Sequence, residues 1–104
     1  MRTKSNALQD QPPGLKITAP WRIATVIAFP RFRLEVTFMD GLVGSVDLSR
    51  KIFSQQAGVF ARLQDISLFD QVFVEHGVVT WPGELDLAPD TMYLKIQQQG
   101  EWIL

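Results

Sequence analysis

The sequence predicts an α+β fold: a small single domain of antiparallel β-hairpins with two or three short helices packed on the sheet. Three observations carry this. Apolar and polar residues alternate over positions 32–38 and 42–48, on either side of Met39-Asp40-Gly41. A second pair of β-branched runs, 72–75 and 78–81, flanks His76-Gly77. Helix openings follow at Asp65-Ile66 and at Ala88-Pro89-Asp90, where an acceptor or a proline precedes an apolar stretch.

Length and composition bound the whole. A chain of 104 residues with 46% hydrophobic content supports one core, and a domain of this size buries only about 60 to 65% of its unfolded surface. Cysteine is absent, so no disulfide framework, thiol nucleophile or thiolate metal site is available. Arg2 and Lys4 are followed by polar residues and not by an apolar run, which argues against a signal peptide or a membrane span and leads to the expectation of a cytoplasmic protein. The net charge of −1 hides an asymmetry. Residues 1–62 hold nine Lys or Arg against four Asp or Glu, and residues 63–104 hold one against seven. The halves carry +5 and −6, which suits charges that intermingle within one fold or, in the sharper reading, self-association into a homo-oligomer.

In chain order, residues 1–20, with Gln9-Asp10-Gln11-Pro12-Pro13-Gly14, read as a flexible arm; residues 21–96 form the domain and 97–104 a tail that breaks at Gly100. Residues 23–29 are a strand closed by Pro30. For the next hairpin, a two-residue loop would set Phe38 against Val43 and Leu34 against Asp47, apolar against polar. A three-residue loop with Gly41 in the left-handed region pairs Phe38 with Leu42, Val36 with Gly44, Leu34 with Val46 and Phe32 with Leu48, gathering one apolar face. That register is the expected one. Residues 49–58 connect, 59–63 form a short helical turn, and Asp65 caps a helix beginning at Ile66. Phe60, Leu63, Ile66, Phe69 and Val72 are expected to face the sheet. Around His76-Gly77, Val74 meets Val79 and Val72 meets Trp81. Pro89 stands at the first position of a last helix with Asp90 in its first turn, and Met92, Tyr93 and Ile96 pack back on the sheet.

The chemistry-bearing residues are few. His76, the one histidine, falls at a hairpin tip without a serine or carboxylate to orient it, so no catalytic residue is assigned. Glu84, Asp86 and Asp90 form a carboxylate-rich segment that could serve a metal binder or a small enzyme, but it lacks the glycine and alternating oxygen ligands of a calcium loop; no metal or cofactor is expected. Asp86 is expected to turn its carboxylate toward backbone amides of the neighbouring turn or helix. Arg31, Arg33, Arg50, Lys51 and Arg62 make a candidate basic surface, with Phe29 and Phe32 interleaved, the footprint of a nucleic-acid-associated regulator. Against it, the chain is acidic overall and the alternation assigns Phe32 to the core.

One stretch carries more than pattern. Trp81-Pro82-Gly83-Glu84-Leu85-Asp86-Leu87-Ala88-Pro89-Asp90-Thr91-Met92-Tyr93, together with Phe38-Met39-Asp40-Gly41, Val46-Asp47-Leu48 and the segment from Val59 to Phe69, resembles the small bacterial family called domain of unknown function 2442. The resemblance runs from about Ile23 to Tyr93. It departs from the family's usual pattern, which has Asn-Gly after Trp-Pro where Gly83-Glu84 stands here. What it implies is a compact α+β module without an established reaction, in some members fused to a helix-turn-helix and in others encoded beside a second small gene in a toxin-antitoxin-like arrangement. The expectation that follows is a non-catalytic protein-interaction module whose partner is another small protein. Its candidate interaction residues are Trp81, Pro82, Glu84, Asp86, Pro89, Asp90 and Tyr93.

Overall fold

The computed structural model describes residues 21–104. The expected arm, residues 1–20, lies outside the described residues. Strand β1 (Ile23–Phe29) pairs antiparallel with β2 (Arg33–Phe38), β2 with β3 (Val43–Asp47), and β3 runs parallel to a short last strand, β7 (Glu101–Ile103). A second, three-stranded sheet is built from β4 (Phe73–Glu75), β5 (Val78–Trp81) and β6 (Leu85–Asp86), all antiparallel. Between the sheets in sequence lie α1 (Ser49–Ile52), a 3₁₀ helix (Gly58–Gln64) and α2 (Ile66–Phe69); α3 (Pro89–Gln99) precedes β7. The architecture is α+β, as the alternation and helix openings require.

The first hairpin has the expected register. Leu34 lies opposite Val46 and Val36 opposite Gly44. The Phe38 N–H donates to the Leu42 carbonyl at 2.8 Å, the Gly41 N–H to the Phe38 carbonyl at 2.9 Å, and Gly41 takes φ +95°. Leu34, Val36, Phe38 and Val46 are thereby all buried on one face. Phe32 departs from expectation. The loop between Phe29 and Arg33 is Pro30-Arg31-Phe32, and both Arg31 and Phe32 are left-handed, with φ of 68° and 60°. Phe32 leaves the strand, keeps only its carbonyl bond from the Leu48 N–H at 2.9 Å, and is half-buried edge-on against Phe53 and Phe69.

The helical segments close the core over that face. Asp65 caps α2, its carboxylate accepting from the Ser67 N–H at 3.0 Å, and Leu63 and Phe69 are buried. Ile66 corrects the expected stripe: as the first residue of α2 it turns outward and is 62% exposed, while Phe60 and Val72 only border the core. In the second hairpin Val74 meets Val79, and His76 and Gly77 both take positive φ as a two-residue turn requires. The ladder begins at Phe73, so Val72 does not pair with Trp81. The α3 N-terminus has Pro89 in its first turn, and its C-terminus is stopped by Gly100 at φ 80°, whose N–H donates to the Ile96 carbonyl at 2.7 Å. Met92 and Ile96 are buried, and Ile96 lies so close to Gly44 that no side chain fits between β3 and α3. The last residues complete the larger sheet, Val46 lying opposite Trp102.

Candidate functional site

The diagnostic stretch around Trp81 is distributed through the scaffold. Trp81 is buried, and its indole N–H donates to the Phe69 carbonyl at 2.9 Å, tying the small sheet to α2. The next three residues, Pro82-Gly83-Glu84, connect β5 to β6, with Trp81 opposite Leu85. Gly83 and Glu84 both have positive φ, at 94° and 66°. Glycine, which adopts this region freely, takes the first of the two left-handed positions, and a glutamate carries the second. The Arg62 guanidinium covers the Cα of Gly83, so one member of the basic set is held against the acidic stretch. At Gly77 it is the stem of Arg22, with its Nε, that covers the glycine. Two arginines from the first half of the sequence therefore pack on glycines of the second.

Asp86 requires a correction. In an extended segment residues two apart share a face, so Leu85 and Leu87 both point inward and are 2% and 3% exposed, and Asp86 between them points out. No hydrogen bond from a described amide reaches its carboxylate. Thr80 supplies the polar contact instead, its hydroxyl donating to the Leu85 carbonyl at 2.7 Å. Asp90 is exposed in the first turn of α3 and accepts from the Thr91 N–H at 2.9 Å. Glu84, Asp86 and Asp90 are not gathered: among the described residues no group of three or more His, Asp or Glu side chains could hold a metal ion.

Tyr93 adds a long-range bond between side chains. Its hydroxyl donates to Asp40 Oδ2 at 2.5 Å, while Asp40 Oδ1 accepts from the Leu42 N–H at 2.9 Å. Its ring stands edge-on to Phe38, with centroids 5.0 Å apart. The bond to the Asp40 carboxylate, then burial, then that same negative charge push the Tyr93 hydroxyl up to about 12 from an ordinary value of 10.0. This lashes α3 to the β2–β3 turn.

Of the basic set, Arg31 and Arg33 lie in and just after the β1–β2 loop, and Arg50 and Lys51 lie in α1. The Leu48 N–H bond to Phe32 and the Phe32–Phe53 contact bring these two segments to the same end of the sheet. Arg62 stands apart at the Gly83 turn. Arg33 faces Asp47 across the ladder, which tempers the positive charge there.

A cavity of about 370 Å³ opens beside the β1–β2 loop. Its walls are Ala28, Phe29, Phe32, Ile66 and Phe69, with Arg31 and Asp70 at the rim. Phe29 is 45% exposed, so this apolar hollow is bordered by further uncovered apolar surface. The left-handed pair Arg31-Phe32 turns the Phe32 ring into it, a conformation costing about 1 to 2 kcal/mol per residue for side chains other than glycine. Sequence reasoning missed this site because it joins residues 28–32 to residues 66–70. Its one visible signal was an apolar Ile66 at a helix first position, where burial is least secure.

A family model described as "Protein of unknown function (DUF2442)" matches residues 23–98. No curated protein and no solved structure matches the chain.

Proposed function

Since the chain belongs to the DUF2442 family, whose description names no reaction, we propose from its own surface that it is a non-catalytic, cytoplasmic protein-interaction module whose partner is another small protein. The observation that carries this reading is the apolar hollow beside the β1–β2 loop, continuous with exposed Phe29 and Ile66. Large uncovered apolar side chains rimmed by charge are characteristic of surfaces that bind other proteins. Arg31 and Asp70 are the only charged residues among those lining the hollow, whose other walls are apolar. The resemblance to members encoded beside a second small gene supports a small-protein partner, and a role as one component of a paired-gene, toxin-antitoxin-like system is part of this proposal. No described helix is long and apolar enough to cross a membrane.

The test is isolation of the tagged full chain from its native cell followed by native mass spectrometry. A stoichiometric complex with a second protein is the expected result. Recovery of the chain alone or only as copies of itself, under conditions that preserve known weak complexes, contradicts the reading. Salt-dependent capture of oligonucleotides would instead favour the basic set.

A further inference from the structure

Strand β7 is the last strand of the larger sheet, at the opposite side from β1. The Ser45 N–H donates to the Gly100 carbonyl at 3.4 Å and the Leu104 N–H to the Asp47 carbonyl at 3.1 Å. In a parallel ladder with Ser45 opposite Glu101 and Asp47 opposite Ile103, these bonds commit Gly100, Trp102 and Leu104 to β3. Glu101 and Ile103 therefore point their N–H and C=O groups away from the sheet, and no described residue supplies a main-chain partner there. Among the described elements, β3 and α3 are the ones packed extensively on β7. The helix does so from one face. Its Ile96 meets Gly44 on β3, so α3 crosses the sheet and leaves the outer side of β7 open.

A cavity of about 430 Å³ lies between that edge and α3. Its walls are Lys95 and Gln99, one helical turn apart, with Trp102, Ile103 and Leu104 from the edge and Lys51 from α1. Trp102 lies opposite buried Val46 and so faces the helix side, whereas Ile103, opposite Asp47, faces the other side and is 44% exposed. Lys51 and Lys95 are the only charged side chains lining the cavity, and Arg50 stands beside Lys51 in an adjoining hollow that no carboxylate side chain lines. Unpaired strand groups about 6.8 Å apart are matched by an extended peptide. Alternation in such a peptide sends one side chain toward the two lysines and its neighbours toward the face of Ile103. The lysines call for a carboxylate at the first place, and Ile103 for aliphatic residues at the flanking ones. A second copy pairing edge to edge would bring its own Lys51 and Lys95 to the same groove, so like charges weigh against self-pairing.

We propose that the outer edge of β7 takes up a short extended segment of a partner protein by strand addition, bonding to the main chain of Glu101 and Ile103, with an acidic side chain of that segment between Lys51 and Lys95 and aliphatic ones beside Ile103. With three residues in β7, the added ladder is short and the charge contact supplies the selectivity. This goes beyond the interaction reading, because the site lies at the opposite edge of the sheet from the hollow beside the β1–β2 loop and takes a charged segment.

The probe is a blocked pentapeptide, Thr-Val-Glu-Val-Thr, titrated into the ¹⁵N-labelled full chain. Saturable binding is expected, with exchange of the Glu101 and Ile103 amides slowed roughly tenfold or more at saturation. A peptide with Lys in place of Glu should bind at least tenfold more weakly, and Lys95→Glu should reverse that preference. Ile103→Pro deletes one outward donor while sparing the bonds of Trp102 and Leu104 to β3, and should weaken binding at least tenfold. Should either variant unfold, N-methylation of the peptide amides that face β7 makes the same test on the parent chain. Absence of saturable binding, binding indifferent to the charge of the peptide, or binding that leaves the two amides exchanging freely overturns the proposal. So does protection of those amides in the free chain, whether independent of concentration, as for residues of the same chain, or rising with it, as for a second copy.

Discussion

Replacing Tyr93 by phenylalanine isolates one bond. The ring and its edge-on contact with Phe38 remain, and the hydrogen bond to Asp40 is removed. A hydrogen bond to a charged group contributes about 1.5 to 3 kcal/mol when well sheltered. Tyr93 is half-buried and Asp40 exposed, so solvent screening brings the bond below that range, to about 1 to 1.5 kcal/mol. For a domain of this size about 4 to 8 °C of melting temperature accompanies each kcal/mol. Asp40→Ala should cost somewhat more, because it also releases the Leu42 N–H. In the Asp40→Ala background Tyr93→Phe should then have almost no effect, which identifies the pair in a double-mutant cycle. The pH dependence has a fixed sign. The neutral hydroxyl is the donor, and its folded value of about 12 exceeds its ordinary value of 10.0. Its contribution is therefore complete below pH 10 and is lost as pH rises toward 12 and beyond. Because the sequence has a single tyrosine, phenolate absorbance reports this group alone. An ordinary titration near 10, or an unchanged melting temperature for Tyr93→Phe, would refute the lash between α3 and the β2–β3 turn.

Further outcomes follow from the glycines and the exposed carboxylates. Gly44→Ala should destabilise by about 1 to 3 kcal/mol in urea unfolding, since its Cβ would collide with Ile96 and lie 2.9 Å from the Gly100 carbonyl. Gly41→Ala should cost about 1 kcal/mol in the same assay through its positive φ alone, because nothing lies within 4 Å of the new carbon. Glu84→Gly should raise stability by about 1 kcal/mol, as a left-handed position no longer carries a side chain, whereas Glu84→Ala should change it by no more than about 0.5 kcal/mol. Asp86→Ala should likewise stay within about 0.5 kcal/mol of the parent, its carboxylate being exposed.

Much of the larger sheet was legible because local rules agreed. The alternation of residues 32–38 and 42–48 and the Asp40-Gly41 turn admit one register that buries Leu34, Val36, Phe38 and Val46 together. Pro89 and Asp65 marked helix starts for the same reason. Phe32 was misplaced because alternation cannot see that a three-residue loop after Phe29 takes it into the left-handed region. Asp86 was misread because strand periodicity sends Leu85 and Leu87 to one face. The pairing of β7 with β3 joins residues more than fifty positions apart in sequence, and such pairing is decided by packing of the intervening α3 on Gly44. The hollow was invisible for a similar reason. It exists only where the β1–β2 loop and α2 approach each other, which no local pattern in either segment records.

The most direct test of the interaction account is amide hydrogen exchange on the full chain, free and in the complex isolated from its native cell. The account predicts that the amides around the hollow, at Phe29, Phe32, Ile66 and Phe69, become more strongly protected in the complex than in the free chain. Unchanged exchange around the hollow, with protection confined to Glu84, Asp86 and Asp90 or to Arg50 and Lys51, would contradict it.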